Sequence, residues 1–159
     1  MRRAVCPGSF DPITYGHLDI IERASHHFDE VIVAVLENRT NSSLFTVEER
    51  ISMISEVTKK FSNIHVDSWS GLLVDYCKSK SVQSIVKGLR AVSDFEYELQ
   101  MAQVNLQGSG VETMFMATSP THSFLSSSLV KELAHYGGDV ASMVPPTINE
   151  ALKRRVAGK

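Results

Sequence analysis

Five short apolar runs alternating with helix-patterned segments predict an α/β fold: a five-stranded parallel sheet with helices on both faces. The runs cover 4–6, 31–36, 64–66, 84–86 and 113–117. The second, Val31-Ile32-Val33-Ala34-Val35-Leu36, is unbroken and mostly β-branched, the pattern of a strand buried on both sides. This is a Rossmann-like, dinucleotide-binding arrangement. Right-handed crossovers bring the C-terminal strand ends to one edge, where ligands of such sheets bind.

Each helix has its own signal. Leu18, Ile21 and Ala24-Ser25 lead to Phe28 at helical spacing. Thr46 stands as an N-cap three residues before Glu49, and Ile51, Ile54 and Val57 continue the apolar stripe. Further helices are expected over 72–80, 94–106 and 126–136, with a last one after Pro145-Pro146. No internal repeat or Ser/Gly/Pro-rich linker divides the chain, so 1–159 reads as a single domain.

Composition narrows the classes of function. A chain of 159 residues buries roughly 70% of its unfolded surface and needs no disulfide staple. Cys6 and Cys77 lie far apart without metal-ligand spacing, and read as buried small hydrophobes in a reducing compartment. The net charge of -2 argues against nucleic-acid binding by bulk electrostatics. No stretch approaches the roughly 18 apolar residues of a membrane span, so no membrane partner is expected and the cytoplasm is the expected location.

The polar and glycine-rich segments follow strand ends, at 7–17, 37–45, 87–90 and 118–128. Four loops from one edge can therefore converge on one site. The first reads Pro7-Gly8-Ser9-Phe10-Asp11-Pro12-Ile13-Thr14-Tyr15-Gly16-His17, with a helix following at once. A helix N-terminus offers free amides and a positive dipole end to a phosphate, and His17 in its first turn can point a ring nitrogen into the same space. The second element, Lys87-Gly88-Leu89-Arg90, puts two cations around a glycine directly after a strand. Arginine there supplies a planar fork suited to phosphate oxygens, and lysine a point charge. The third, Ser126-Ser127-Ser128, opens a helix with hydroxyls and amides that form an anion cradle. Taken singly, each also fits a bland role: turn glycines, a solvated edge, an N-cap.

Together these strings resemble a known family. Thr14-Tyr15-Gly16-His17 is similar to the [T/H]xGH motif of the nucleotidyltransferase superfamily of α/β phosphodiesterases. Gly8-Ser9-Phe10-Asp11-Pro12 resembles the phosphopantetheine adenylyltransferases in particular. The likeness continues through 45–50, through Gly88-Leu89-Arg90-Ala91-Val92-Ser93-Asp94-Phe95-Glu96-Tyr97-Glu98, through 123–132 and through Gly138-Asp139-Val140. It runs collinearly over nearly the whole chain.

The resemblance implies transfer of the adenylyl group of ATP to 4'-phosphopantetheine, giving dephospho-CoA and pyrophosphate by in-line displacement. It implies Ser9 and His17 as catalytic residues, with the amides around Ser9-Phe10. It implies an ATP site of Ser9, Phe10, His17, Gly88, Leu89, Arg90, Glu98 and the loop His122-Ser123-Phe124-Leu125-Ser126-Ser127-Ser128. Arg90 falls to the phosphates, Glu98 to the nucleotide and Lys131 to the leaving pyrophosphate. Acceptor contacts fall to Ser9, Asn41, Leu73 and Lys87. Mg²⁺ is expected with ATP, and no dedicated cage of protein metal ligands is expected. The resemblance also implies a homo-oligomer, a hexamer, with CoA and dephospho-CoA as product or feedback ligands. The alternatives are another adenylyl- or cytidylyltransferase of the superfamily, or a nucleotide-binding module without chemistry.

The match departs at two places. Asn41 and Ser42 stand where the family carries a lysine pair, with only Arg39 nearby, and Lys87 stands where it carries arginine. Either Arg39 compensates, or the acceptor is held more weakly. On the second account Asn41→Lys lowers the KM for the acceptor in steady-state kinetics, and an unchanged or raised KM shows that this loop does not limit affinity.

Overall fold

The structure, a computed structural model, describes residues 1–37, 40 and 42–158. Five strands, β1 (Arg3–Gly8), β2 (Glu30–Leu36), β3 (Ile64–Trp69), β4 (Ser84–Leu89) and β5 (Glu112–Ala117), form one sheet in the order β3-β2-β1-β4-β5. All pairings are parallel. Among the described residues six helices connect or follow them: α1 (Tyr15–Ser25), α2 (Val47–Thr58), α3 (Leu73–Ser79), α4 (Val92–Ser109), α5 (Ser127–His135) and α6 (Pro146–Ala157). The expected α/β class, strand count and two-sided cover are all present.

Alternation along the strands sorts the apolar residues into two cores. On one face Ala4, Cys6, Val31, Val33, Val35 and Val86 pack with Ile20, Ile21, Ile54, Val130, Ile148 and Leu152 of α1, α2, α5 and α6. On the other, Val5, Ile32, Ala34 and Ile85 meet Tyr76 and Cys77 of α3. Cys6 and Cys77 are free thiols, one in each core. β2 belongs to both layers, as its β-branched run requires.

β1 runs on through Pro7 and Gly8, two residues further than its apolar run suggested. A proline inside a central strand is tolerated here because pairing between β1 and β4 is confined to Ala4 with Ser84 and Val5 with Ile85. On that side Gln83 N donates to the Arg3 carbonyl at 3.3 Å, and Arg3 N donates to the Gln83 side-chain oxygen at 3.1 Å. By alternation the nitrogen of Pro7 faces the same way, beyond the last β1–β4 pair, so its missing N–H forfeits no ladder bond.

The α2 capping box is complete: Thr46 Oγ1 accepts from Glu49 N at 3.1 Å, and Thr46 N donates to Glu49 Oε2 at 2.8 Å. α4 is longer than its pattern indicated and stops at Gly110, whose φ of +75° lets its amide reach the Leu106 carbonyl at 2.8 Å. Among the described residues no helix is long and apolar enough to cross a membrane. Removing the α2 cap with Thr46→Ala is expected to cost about 1 kcal/mol, a fall in Tm of roughly 2–4 °C by calorimetry.

Candidate active site

Beyond Val5 and Ile85 the strands β1 and β4 part, and the C-terminal edge opens into a cavity of about 290 Å³. Cys6, Pro7, Val86 and Lys87 line it at the strand ends. This is the point where strand order reverses, from which connections lead away in opposite directions.

His17 enters this space from the first turn of α1. Its position follows from a local device: Thr14 caps the helix, accepting from His17 N at 3.4 Å, while Thr14 N donates to His17 Nδ1 at 3.0 Å. The imidazole thus takes the place that glutamate holds in an ordinary capping box. Because Nδ1 accepts a backbone N–H, the ring proton of the neutral form resides on Nε2, which is left to donate. The Phe10 ring meets the imidazole edge-on at 5.1 Å between centroids. Desolvation, and after it the charge of Arg90, pushes the His17 pKa down to about 4. The ring is a neutral donor at pH 7.

The second loop brings the cations. Lys87 Nζ lies 3.2 Å from Glu98 Oε2, and Arg90 Nε lies 3.3 Å from Asp94 Oδ2, so each pairs with a carboxylate from the start of α4. Arg90 also donates to the Leu125 carbonyl at 2.7 Å, tying this loop to the serine loop. Gly88 is needed for packing. A Cβ there would lie 2.8 Å from Ile20 Cγ1, so its absence lets α1 come close against β4 and carries His17 into the cavity.

The third loop closes the far wall with His122, Leu125, Ser126 and Ser127. Ser126 Oγ caps α5 by accepting from Leu129 N at 3.1 Å, and Ser127 Oγ donates to the Pro12 carbonyl at 2.8 Å.

Of the residues expected from sequence, Phe10, His17, Lys87, Gly88, Arg90, Glu98, His122, Leu125, Ser126 and Ser127 line the one cavity. Ser9, Ser123, Phe124 and Ser128 are exposed beside it, and Leu89 is half-buried, all outside its wall. Leu73 packs against the second core with Trp69. Lys131 turns to Asp11, at 3.0 Å, on a groove with Ser42, Ser43 and Leu44. Asn41, and Arg39 with it, lies outside the described residues. Sequence reasoning included Thr14 and Asp94 in its motif strings but gave neither a role in the site; both are in the cavity wall. The spacing of Thr14 and His17 was a cap signal with an unfamiliar partner at its third position.

A parallel sheet with a cleft at its reversal point, a neutral imidazole donor and flanking cations is the frame of a nucleotidyltransferase. Residues 5–133 match the cytidylyltransferase-like family model. A phosphopantetheine adenylyltransferase from Streptomyces coelicolor is 63% identical over 159 residues, covering 100% of both chains. One from Frankia casuarinae is 60% identical over 161 aligned positions, covering 99% of each. In fold, the Plasmodium falciparum nicotinic acid mononucleotide adenylyltransferase complexed with NaAD has a TM-score of 0.72 at 16% identity, covering 96% of this chain and 95% of that one. The chain belongs to the cytidylyltransferase-like family and, within it, to the phosphopantetheine adenylyltransferases.

The depressed His17 pKa makes stability depend on pH with a definite sign. Unfolded, the ring takes up a proton near 6.5; folded, only near 4. Between these values the unfolded state binds more protons, so this contribution is intact above about pH 6.5 and is lost as pH falls toward 4. Urea midpoints across that window should fall less steeply for His17→Gln than for the unmodified chain, and equal slopes would show that His17 does not titrate this way.

Proposed function

We propose that the chain transfers the adenylyl group of ATP to 4'-phosphopantetheine, giving dephospho-CoA and pyrophosphate, a step of coenzyme A synthesis. The observation that carries the mechanism is His17, held by Thr14 as an Nε2–H donor in a cavity that Arg90 also lines. The acceptor's phosphate is an anionic nucleophile at pH 7 and attacks the α-phosphorus directly. The cavity's other groups suit that route. Burial pushes the Cys6 thiol up to about 12, and the hydroxyls of Ser126 and Ser127 are engaged in a cap and a loop tie. Catalysis then rests on positioning and on stabilising the charge that grows at the α-phosphate.

His17 Nε2–H and the amides of Ser9 and Phe10 take that second task. Gly88, Leu89, Arg90, Glu98 and the loop from His122 to Ser128 hold the nucleotide, while Ser9, Asn41, Leu73 and Lys87 serve the acceptor. The cleft's carboxylates, Asp94 and Glu98, are already paired with cations. This donor set fits a Mg²⁺ held mainly by phosphate oxygens and water, which would screen the triphosphate charge. CoA and dephospho-CoA, which share the acceptor's arm, fit as feedback or product ligands. We place the enzyme in the cytoplasm as a homo-oligomer, a hexamer, which suits α4: Tyr97 and Val104 remain 63% and 61% exposed on it.

Pyrophosphate release with MgATP should be rapid with 4'-phosphopantetheine and slow with a nicotinamide mononucleotide or the phosphorylated acceptors of cytidylyltransferases. His17→Ala should lower kcat by about 10²–10³ while ATP affinity changes less. ATP binding without pyrophosphate release for any acceptor would instead mark a non-catalytic nucleotide-binding module, and a kcat within twofold would reduce His17 to a structural residue.

A further inference from the structure

Two buried charged residues outside the cavity wall stand out for what they hold. Asp11 is 5% exposed and Arg50 2%. Charges at that depth are costly unless fully engaged, so their partners reveal their use. Asp11 Oδ2 accepts from Leu44 N at 2.8 Å and from Lys131 Nζ at 3.0 Å, and its Oδ1 accepts from Phe45 N at 2.9 Å. Arg50 donates to the carbonyls of Ser9 at 2.7 Å, Leu36 at 3.1 Å, Phe45 at 3.2 Å and Thr46 at 3.3 Å.

These contacts close a circuit. Asp11 takes the amide hydrogen of Phe45, Arg50 takes the carbonyl of the same residue, and Arg50 returns to Ser9, two residues before Asp11. The turn it encloses is strained: Phe10 has φ of +49°, a left-handed conformation that a bulky side chain adopts only when its surroundings enforce it. The segment on the other side, Leu44-Phe45, is where the loop after β2 re-enters the fold. One circuit thus sets the backbone of the turn whose Phe10 ring meets His17, together with the anchored end of the loop to which the proposed reaction assigns acceptor contacts.

We propose that Asp11 and Arg50 are positioning residues for adenylyl transfer, bracing the Ser9-Phe10 turn against the exit of the β2 loop. The inference rests on the reaction proposed above. Neither residue touches a reacting atom. They act through the backbone groups they hold, so their loss disturbs the transition-state donors and the acceptor loop together. The nucleotide's other contacts, on the second and third loops, are left in place.

The test is a kinetic comparison of Asp11→Asn and Arg50→Lys with the unmodified chain and with Ile54→Val, a buried change on the same helix. Asn keeps one acceptor oxygen but turns an amide toward a donor. Lys keeps the charge but lacks the fork that spans separate carbonyls. For both variants we expect kcat to fall at least about tenfold and the acceptor KM to rise several-fold, with the Kd for ATP within about threefold. Ile54→Val should lower Tm while leaving kcat and both substrate constants unchanged. If the two charge variants behave like Ile54→Val, losing only thermal stability, the brace is overturned. Should Asp11→Asn fail to fold, Arg50→Lys decides alone. Absence of turnover in the unmodified chain would sink the adenylyl-transfer reading and this proposal with it, a result distinct from normal turnover in the variants.

Discussion

The parting of β1 from β4 after two residue pairs is the constraint on which the site depends. In a continuous parallel ladder the strand ends would be closed by neighbouring backbone. Here the central strand leaves its partner early, and α1 and α4 leave from opposite sides of the gap. Proline follows naturally, since its nitrogen faces the gap. So does Gly88, which lets the imidazole-bearing helix close on β4. Chain direction, strand order and two residue choices together create space for a nucleotide without removing apolar core.

The walls of this space are joined to one another. Arg90 holds Leu125, Ser127 holds Pro12, and Asp11 and Arg50 bind the first loop to the exit of the loop after β2. Electrostatics divide along the same line. The deep charged groups, Asp11 and Arg50, are each engaged by several hydrogen bonds and hold geometry. The cleft pairs Lys87–Glu98 and Arg90–Asp94 are partly exposed, at side-chain values of 22–38%. Pairs of that kind contribute at most about 1 kcal/mol, so a triphosphate competes for their cations at little cost. Rigid anchors and exchangeable cations therefore sit within one site.

Much of this was legible in the residues. The run Val31–Leu36 announced a two-sided strand, and Thr46 with Glu49 announced the start of α2, because both signals are local. The rule that ligands gather at C-terminal strand ends, joined to the motif likeness, pointed to ten residues that line one cavity. What stayed hidden depends on long-range partners. Asp11 meets residues 33, 34 and 120 positions away, and Arg50 reaches back 41 positions to Ser9. No spacing rule reports such pairings. Lys131, given to the leaving pyrophosphate because it follows the serine triplet, also pairs with Asp11, a partner no local signal announced. Leu73, assigned to the acceptor by likeness, also packs against the second core, a contact its place on an apolar helix face made legible.

The two cysteines carry a practical corollary. Burial holds the Cys6 thiol near 12 and the Cys77 thiol near 11, so at neutral pH neither offers an appreciable thiolate. Alkylating reagents must wait for the backbone to open before reacting. Since the sulfurs belong to opposite layers of the sheet, their separate labelling rates would report how each layer unlocks. The chain thus contains a pair of native probes for sub-global opening, Cys6 at the cavity wall and Cys77 away from it.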